Sequence, residues 1–553
     1  MNTVRLTKVG TIAAALIMCL GAQAQYTKNN VRFLSRVALS AFDGSPSSGS
    51  GCAGYISPSG KEYAIIGLRN GNAVVNITNP ITPTIVGHIP GVNSQWHEVC
   101  VLGDFAYATT EGGGGIQIID LRQVDQGIVS LAATYTGRGV SSGHTIQAIP
   151  ESKLIIINGG NMEAIPGNSN PPRGLRALDC SDPVNPVEVG TWITKYVHDA
   201  IYVKRTTGPH AGKMICYAFC ANGATGGLYI IDVTTTPNAQ GQNVPKMETL
   251  GFINYYSDIS DLTKFYSHSG SLSPDGKHIY ANDELDEMNG TSPDLSTHII
   301  NVENLSAPTY VGRFVNPINA IDHNSMTQDG FLFLSAYKSG LRVYDMSASS
   351  SLTESGFFDS YPEGSGFQFS GAWGTWSGFP SGNVIISDIN RGLFVVDPSE
   401  AKGWGAPITE VLYQGLSGPA NGSAVFKKAD ANAVVLPLAA DIARQSIQVS
   451  LTTDSTSKAK VDMTITARCR NSSTGDLNVY AKNHATGAFE LIGSPVITST
   501  YQSFTYSGLD GTKYVSANNL IVIKLENKRG ITNGARTTPP EADLDMVRVK
   551  VHN

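Results

Sequence analysis

A sequence pattern that occurs seven times, about fifty residues apart, constrains the fold of this chain more than any other feature. Each copy is a run of alternating apolar residues with Asp or Asn at or near its end, and the copies occupy residues 72–77, 115–120, 174–179, 227–232, 297–301, 340–345 and 392–397. After five of them comes a turn and a short strand that ends in glycine. A repeat of this length predicts units that bury their faces against one another.

Further pairs of apolar runs precede the repeated pattern, for example at 97–111, 144–159 and 268–284. Tight turns such as Leu102-Gly103-Asp104 and Pro274-Asp275-Gly276 join the two members of a pair, as in β-hairpins. Each unit therefore has four antiparallel strands, and radial repetition leaves few sheet edges exposed. We predict an all-β chain in which residues 25–402 form a seven-bladed β-propeller, with a strand within 31–41 closing the ring against the last blade.

The segments outside the repeats have different compositions. Residues 1–24 contain Arg5, Lys8, an apolar run at 12–20 and the small-x-small sequence Ala22-Gln23-Ala24, which together predict a secretory signal peptide. Residues 403–430 are predicted to be a linker. Alternating runs within 431–553 predict a C-terminal β-sandwich, with targeting or carbohydrate binding as its expected role.

Composition limits the classes of partner. The formal net charge is −6, and it becomes −8 once Arg5 and Lys8 leave with the signal peptide. An acidic chain without a basic run is a poor nucleic-acid binder, and no later stretch has the ~18–20 apolar residues of a membrane span. We expect an exported protein, extracellular, at the cell surface or periplasmic. The six cysteines that remain are interpreted mainly as packing residues.

Histidines recur at one repeat position. Five of the seven units have His where the first strand begins: His97, His144, His198, His268 and His323. The first unit has Gly51-Cys52-Ala53 there, and the seventh has Gly371-Ala372-Trp373.

The first strand of a blade lines the central channel, so these histidines are expected near the axis. Two interpretations are open: the histidines bind a divalent metal (Zn, Cu, Mn or Ca, depending on nearby carboxylates), or they are hydrogen-bonding latches between strands. Successive residues of a strand point to opposite sides, and the sequence does not say whether His or its successor faces the channel.

Other side chains are predicted to bind a ligand near the same mouth: Glu98, Glu111, Asp199, Asp283, Glu284 and Trp373. The acidic run 283–287 is either a solvated loop or a Ca²⁺ or substrate contact beside His268. Aromatic rings near the mouth either stack on a sugar or peptide or pack between blades; they are Trp96, Trp373, Trp376, Tyr266 and Phe379.

Four long segments resemble the choice-of-anchor B family of bacterial surface proteins, built from LVIVD-type propeller repeats. They lie at 196–203, 267–287, 320–346 and 371–397, and they occur in the family's order. The resemblance covers about two-thirds of the chain and implies export and a secreted or surface location. It implies no reaction and no catalytic residues. The first unit departs from the family pattern, and no LPxTG-like motif is present.

Two functions follow as hypotheses. The first is a non-enzymatic binding protein whose extracellular ligand, a glycan or a protein, is held on one face of the propeller. The alternative is a metal-dependent hydrolase in which the five histidines hold the ion and Glu98 or Asp199 is the general base for a bound water.

Overall fold

The computed structural model describes residues 26–164, 168–256, 261–403, 408–414, 434–436, 445–452, 460–469, 474–500, 502–517, 520–528 and 542–552. The predicted signal peptide and most of the predicted linker lie outside these residues. Two compact units are present: one comprises chiefly Phe33–Phe379 and Val384–Val396, and the other chiefly residues from Asp397 onward. Within the described residues, no helix has the length and apolar character that a bilayer crossing requires.

The first unit is built mainly from four-stranded antiparallel sheets, and its strands are numbered here in chain order. Two strands come before the first complete sheet, β1 (Lys28–Asn29) and β2 (Arg32–Val37). The first sheet contains β3 (Gly49–Ile56), β4 (Glu62–Leu68), β5 (Gly71–Asn76) and β6 (Thr84–Pro90). The second contains β7 (His97–Leu102), β8 (Phe105–Thr110), β9 (Ile116–Asp120) and β10 (Ser130–Tyr135).

The third and fourth sheets repeat this order. The third contains β11 (Thr145–Ile149), β12 (Leu154–Asn158), β13 (Leu175–Asp179) and β14 (Val187–Trp192). The fourth contains β15 (Asp199–Lys204), β16 (Met214–Phe219), β17 (Leu228–Asp232) and β20 (Glu248–Ile253). A separate hairpin of β18 (Thr235–Pro237) and β19 (Asn243–Pro245) is inserted between the last two strands of the fourth sheet.

Three more sheets complete the unit. The fifth contains β21 (Ser267–Leu272), β22 (His278–Asp283), β23 (Ser296–Asn301) and β24 (Thr309–Val315). The sixth contains β25 (Asn324–Gln328), β26 (Phe331–Ser335), β27 (Leu341–Asp345) and β28 (Thr353–Phe358), with β1 at its outer edge. The seventh contains β29 (Ala372–Trp376), β30 (Val384–Asp388) and β31 (Gly392–Asp397), and β2 is its fourth strand.

The first strands of the sheets form a closed circle in a propeller-like arrangement. Each lies beside the next in the order β3, β7, β11, β15, β21, β25 and β29, and β29 lies beside β3 again. The seven repeated sequence runs are the third strands, β5, β9, β13, β17, β23, β27 and β31. The predicted closure by a strand within 31–41 is confirmed, because β2 pairs with β31.

Apolar clusters between neighbouring sheets explain the sequence of the middle strands. β12 reads LIIIN, and all five of its residues are buried, because a middle strand has another sheet on each side. Ile156 belongs to the cluster between the third and fourth sheets, whereas Ile155 belongs to the cluster between the second and third. Outer strands such as β24, which reads TYVGRFV, are largely exposed.

Helical structure is short throughout the described residues. Single 3₁₀ turns occur at Leu39–Ala41, Val124–Gln126, Gly137–Gly139, Pro150–Ser152 and Leu262–Lys264, and one α-helical turn, α1, at Gly511–Tyr514. Five cysteines are free thiols, and four of these, Cys100, Cys180, Cys216 and Cys220, are buried, which confirms that they pack in the core.

The second unit contains two antiparallel sheets. The first comprises β32 (Ile408–Gln414), β34 (Gln445–Thr452), β40 (Leu520–Lys528), β36 (Thr474–Lys482), β37 (Phe489–Gly493) and β38 (Val496–Thr498). The other comprises β33 (Val434–Leu436), β41 (Ala542–His552), β35 (Lys460–Cys469) and β39 (Gln502–Asp510). Alternate residues of β35 and β40 are fully or almost fully buried, among them Val461, Met463, Ile521 and Ile523. Strand β32 lies inside the segment 403–430 that composition predicts to be a linker.

Candidate functional site

The first strands of all seven sheets enclose a channel of about 1040 Å³. Its lining runs from Glu98, Asp199 and Asn324 at the start of these strands to exposed hairpin turns that contain Pro58 and Asp275. The prediction that the first strand of each unit lines a central channel is therefore confirmed.

The residue that follows the histidine lines this channel in four of the five units, and Ser269, which follows His268, is the exception. Glu98 follows His97, Thr145 follows His144, and Asp199 follows His198, and each of the three following residues lines the cavity. The imidazoles lie beside the end of the channel where the first strands begin, and they are almost completely buried. The structure thus answers the question that the alternation of side chains along a strand leaves open, namely whether the histidine or its successor faces the channel.

Four of the five predicted imidazoles form an arc of rings in contact with one another. The ring centroids are 3.8 Å apart for His144 and His198, 4.4 Å for His198 and His268, and 4.3 Å for His268 and His323. The Trp373 indole continues the arc, 4.6 Å from His323. Residues at the starts of the first strands of the third to seventh sheets therefore meet at the axis, although up to 229 residues separate them in the chain.

His97 is not part of this arc, so the structure brings four of the five candidate metal-binding histidines together. Its Nε2 lies 2.9 Å from the carbonyl oxygen of Val92, in the loop that precedes its own strand. Among the described residues, its ring has no contact with the other four imidazoles. The neighbouring position on the arc is filled by Trp96, whose ring centroid is 5.7 Å from that of Trp373.

Hydrogen bonds orient the two end imidazoles of the arc. Nδ1 of His323 lies 2.6 Å from the carbonyl oxygen of Trp373, so it donates a proton and Nε2 carries the lone pair. Nδ1 of His144 lies 2.8 Å from Oε1 of Glu111. This contact lowers the pKa of the Glu111 carboxyl below its ordinary value. The loop position predicted for Glu111 thus brings it to the histidines.

The two central imidazoles contact phenols and a carboxylate. Nδ1 of His198 lies 3.1 Å from the hydroxyl of Tyr196 and 3.0 Å from that of Tyr266. Nε2 of His268 lies 3.8 Å from Oε2 of Glu284. Two interactions of His198 are therefore with neutral hydroxyl groups that can either donate a proton to Nδ1 or accept one from it.

Burial keeps the rings of His198, His268 and His323 neutral. It lowers the pKa of His268 and of His323 to about 3, and lowers that of His198 well below its ordinary value; neighbouring imidazoles act in the same direction. A neutral imidazole has one nitrogen with a free lone pair and can bind a metal ion.

Glu284 bridges two of the histidines. Its Oε1 lies 3.6 Å from Nε2 of His323 and accepts a hydrogen bond from the Tyr337 hydroxyl, while Oε2 faces His268. Asp283 has a different role: its carboxylate accepts the backbone N–H groups of Tyr266 and of the two residues after Glu284. Burial raises the pKa of Asp283 to about 6. Asp283 therefore shapes the loop that presents Glu284.

Glu98 occupies space that Gly51, in the first sheet, leaves open. The indole Nε1 of Trp373 donates to Oε1 of Glu98 over 2.6 Å. A Cβ added at Gly51 would lie 2.1 Å from Oε2 of the same carboxyl. A larger residue at 51 would displace the Glu98 carboxyl and disturb this link between the seventh and second sheets. Burial raises the pKa of Glu98 to about 8, with a further contribution from Asp199.

Asp199 is the second carboxyl of the channel. Its Oδ1 accepts a hydrogen bond from the hydroxyl of Thr145 over 2.8 Å and another from the backbone N–H of Ala200 over 2.8 Å. Burial raises its pKa above the ordinary value. Both predicted channel acids are thus present, in surroundings that favour the protonated form.

Aromatic rings divide between the two predicted roles. Trp376 and Phe379 contact each other at 4.2 Å and pack in the core between the seventh and first sheets, although Trp376 also borders the channel. Trp373 and Tyr266 instead contact the histidine arc. Sequence reasoning missed Tyr196 and Tyr337. Tyr337 lies in the loop between the second and third strands of the sixth sheet. Glu111 and the acidic run 283–287 lie in the equivalent loops of the second and fifth sheets, and this position could have identified Tyr337 as well.

Comparisons with known proteins show similarity of structure only. No family model matches the chain, and curated proteins give no significant match. A protein from Lactobacillus plantarum aligns at 12% identity and TM-score 0.34, over 83% of this chain and 98% of the other. An exo-β-1,3-galactanase from Phanerochaete chrysosporium aligns at 9% and 0.30, over 93% and 100%. An extracellular domain from B. thetaiotaomicron aligns at 8% and 0.39, over 91% and 59%.

Proposed function

We propose that this protein is an exported seven-bladed β-propeller followed by a C-terminal β-sandwich, and that it binds an extracellular glycan in its axial channel. The circle of seven sheets and the two sheets of the second unit support the architecture. Export and membership of the choice-of-anchor B family are part of the proposal, and they rest on residues 1–24 and on the repeat segments.

The channel is the observation that carries the binding function. Its volume of about 1040 Å³ is at the upper end of the range of small-ligand pockets, roughly 300–1,000 Å³, and suits a short oligosaccharide better than a folded protein. Every first strand contributes to the wall, so a ligand there would contact all seven sheets. The exposed hairpin turns at the far end from the histidines are the entrance.

The polar lining fits a ligand with many hydroxyl groups. Gln147, Asn324 and Ser325 line the channel together with the two carboxyls, and Trp376 offers part of a ring. Amide, hydroxyl and carboxyl groups can both donate to and accept from sugar hydroxyls, and an indole can stack on a sugar face. A protonated Glu98 adds one more donor at the inner end.

The metal-dependent hydrolase is less well supported as a function. The four imidazoles of the arc are only 0–6% exposed, so a substrate in solvent does not reach them directly. The two candidate general bases, Glu98 and Asp199, face the channel, whereas the carboxylate beside His268 and His323 is that of Glu284.

An oligosaccharide panel tests the proposal by isothermal titration calorimetry on the full chain, with a short-peptide panel in parallel. We expect a saturating oligosaccharide whose affinity falls at least about fivefold in Gln147→Ala, since one hydrogen bond contributes about 1 kcal/mol. Gln240→Ala, at an exposed turn outside the channel, is the matched control and should bind normally. Binding of peptides alone, or equal affinity in both variants, would show that the proposed glycan site is wrong.

A further inference from the structure

The histidine arc contains buried nitrogens with no hydrogen-bond partner. Among the described side chains, Nε2 of His198, Nδ1 of His268 and Nε2 of His323 are all in this state, and these residues are 6%, 4% and 0% exposed. Leaving a buried polar atom unpaired costs about 1–3 kcal/mol, and native structures seldom accumulate three in one place. This cluster lies outside the channel wall and is not explained by ligand binding there.

The other nitrogen of these rings shows what kind of partner is missing. Nδ1 of His323 donates to the Trp373 carbonyl, so its Nε2 is an acceptor and can bind only a proton donor or a cation. In His198, Nδ1 is already in contact with two phenol hydroxyls, and Nε2 is again the open position. The missing partner must therefore serve at least one lone pair directed into the cluster.

A carboxylate completes the set. His198, His268 and Glu284 each offer one ligand atom, and these three atoms lie within 4.8 Å of one another. In a tetrahedral zinc site with bonds of about 2.0–2.1 Å, donor atoms are about 3.3 Å apart, so the side chains need to close by at most about 1.5 Å. His323 is adjacent, with its Nε2 3.6 Å from Oε1 of Glu284.

We propose that His198, His268 and Glu284 bind a divalent transition-metal ion at the axis of the sheet ring, with His323 as the fourth ligand. A set of three imidazoles and one carboxylate suits Zn²⁺, Co²⁺, Ni²⁺ or Cu²⁺ and disfavours Ca²⁺ and Mg²⁺, which take oxygen ligands. The site joins the fourth, fifth and sixth sheets, so the ion would cross-link the ring independently of any ligand in the channel.

Two neighbouring contacts have the form that metal sites use to orient their ligands. The Tyr337 hydroxyl donates to Glu284, and the Trp373 carbonyl accepts from His323. Such outer partners of metal ligands change metal affinity about 10–100-fold when they are removed. Tyr337 is therefore a positioning residue for the carboxylate ligand.

Cobalt titration of the chelator-treated full chain tests the proposal without depending on a variant. We expect one equivalent of Co²⁺ to give visible absorption bands of four-coordinate cobalt, and one equivalent of Zn²⁺ to abolish them. Mass spectrometric metal analysis of the untreated protein should show one zinc or similar ion per chain. A folded protein that binds no Co²⁺ or Zn²⁺ stoichiometrically overturns the proposal and supports the latch interpretation.

Conservative variants locate the site. His268→Gln and Glu284→Gln should weaken Zn²⁺ binding at least about 100-fold, and Tyr337→Phe about 10-fold or more, because the last keeps all direct ligands. The matched control is His278→Gln: His278 is also buried with an unpartnered Nδ1, but it lies on β22 outside the cluster. The assignment is contradicted if His278→Gln weakens Zn²⁺ binding as much as the ligand variants do. It is also contradicted if the single variants Tyr337→Phe and Glu284→Gln both bind Zn²⁺ with full affinity.

Discussion

Replacing Glu98 by Gln should make the protein less sensitive to alkaline pH. The pKa of Glu98 is raised from 4.5 to about 8, chiefly because the carboxyl is withdrawn from water between Gly51 and Trp373. Glutamine has the same shape, and its carbonyl oxygen can still accept the hydrogen bond from the Trp373 indole.

The sign of the effect follows from which state binds the proton. Below pH 4.5 the carboxyl is protonated in both folded and unfolded chains, and its contribution to stability is complete. As the pH rises from 4.5 through about 8, the unfolded chain ionises first, and the folded state loses stability relative to it. The variant lacks this titration, so the difference in unfolding free energy, variant minus wild type, should grow over that interval.

The pKa values set the size of the effect. One pKa unit corresponds to 1.36 kcal/mol, which gives an upper bound of about 5 kcal/mol at pH 9. Most of the Glu98 side chain is withdrawn from water but part of it stays exposed to the channel, so solvent screening reduces the expected difference to about 2–3 kcal/mol. Denaturant midpoints by tryptophan fluorescence at pH 3, 5, 7 and 9, with EDTA present, measure it.

A second variant, whose carboxyl has a lowered rather than a raised pKa, serves as the control for the pH dependence. The pKa of Asp120 is lowered by its hydrogen bond from Arg122, so Asp120→Asn should lose its deficit at acid pH, whereas Glu98→Gln gains its advantage at alkaline pH. A difference between Glu98→Gln and wild type that is constant or decreases with rising pH would refute the argument that Glu98 is held protonated by burial.

Three further substitutions test the packing described above. Gly51→Ala places a Cβ against the Glu98 carboxyl and should cost about 1–3 kcal/mol, while also reducing the alkaline sensitivity, as measured by the same midpoints. Ile156→Ala opens a cavity between two sheets and should cost about 2–5 kcal/mol, against less than about 0.5 kcal/mol for the exposed Val187→Ala; equal costs would contradict the inter-sheet core. Arg176→Met leaves the carboxylate of Glu188 without its main partner and should cost about 3–5 kcal/mol in thermal unfolding, and a neutral result would show that the pair is not buried in solution.

The sheet arrangement could be predicted from the sequence because each repeat carries two signals, an alternating apolar run and the turn residues that bound it. Each repeated run became a third strand, and the turn glycines and prolines fixed where one strand stopped and the next began. The LIIIN run of β12 could be recognised as a strand with neighbours on both faces, since a strand open to solvent would alternate.

The site was predicted less completely, for physical reasons. Repeat position predicted that His144, His198, His268 and His323 lie close together. Only the side-chain directions show that Glu98 and Asp199, rather than the histidines before them, face the channel. The separation of His97 depends on one contact with the Val92 carbonyl, made by a loop of irregular conformation.

Partners supplied by adjacent sheets were also beyond sequence reasoning. Tyr337 reaches Glu284 from another sheet, and the empty space at Gly51 is needed by a carboxyl of the next unit. Such contacts between sheets depend on how one sheet is rotated relative to the next, and the sequence pattern within a single repeat does not encode this rotation.

Strand β2 is made early in synthesis, yet its partner β31 is made more than 350 residues later. The seventh sheet therefore cannot be completed cotranslationally from its own hairpins, and the chain must keep an unpaired amino-terminal ribbon available until the rest has emerged. Loss of that ribbon by proteolysis would leave the outer edge of β31 open, and the same ribbon from a second molecule could fill it. Strand exchange is thus the characteristic misassembly to expect of this architecture.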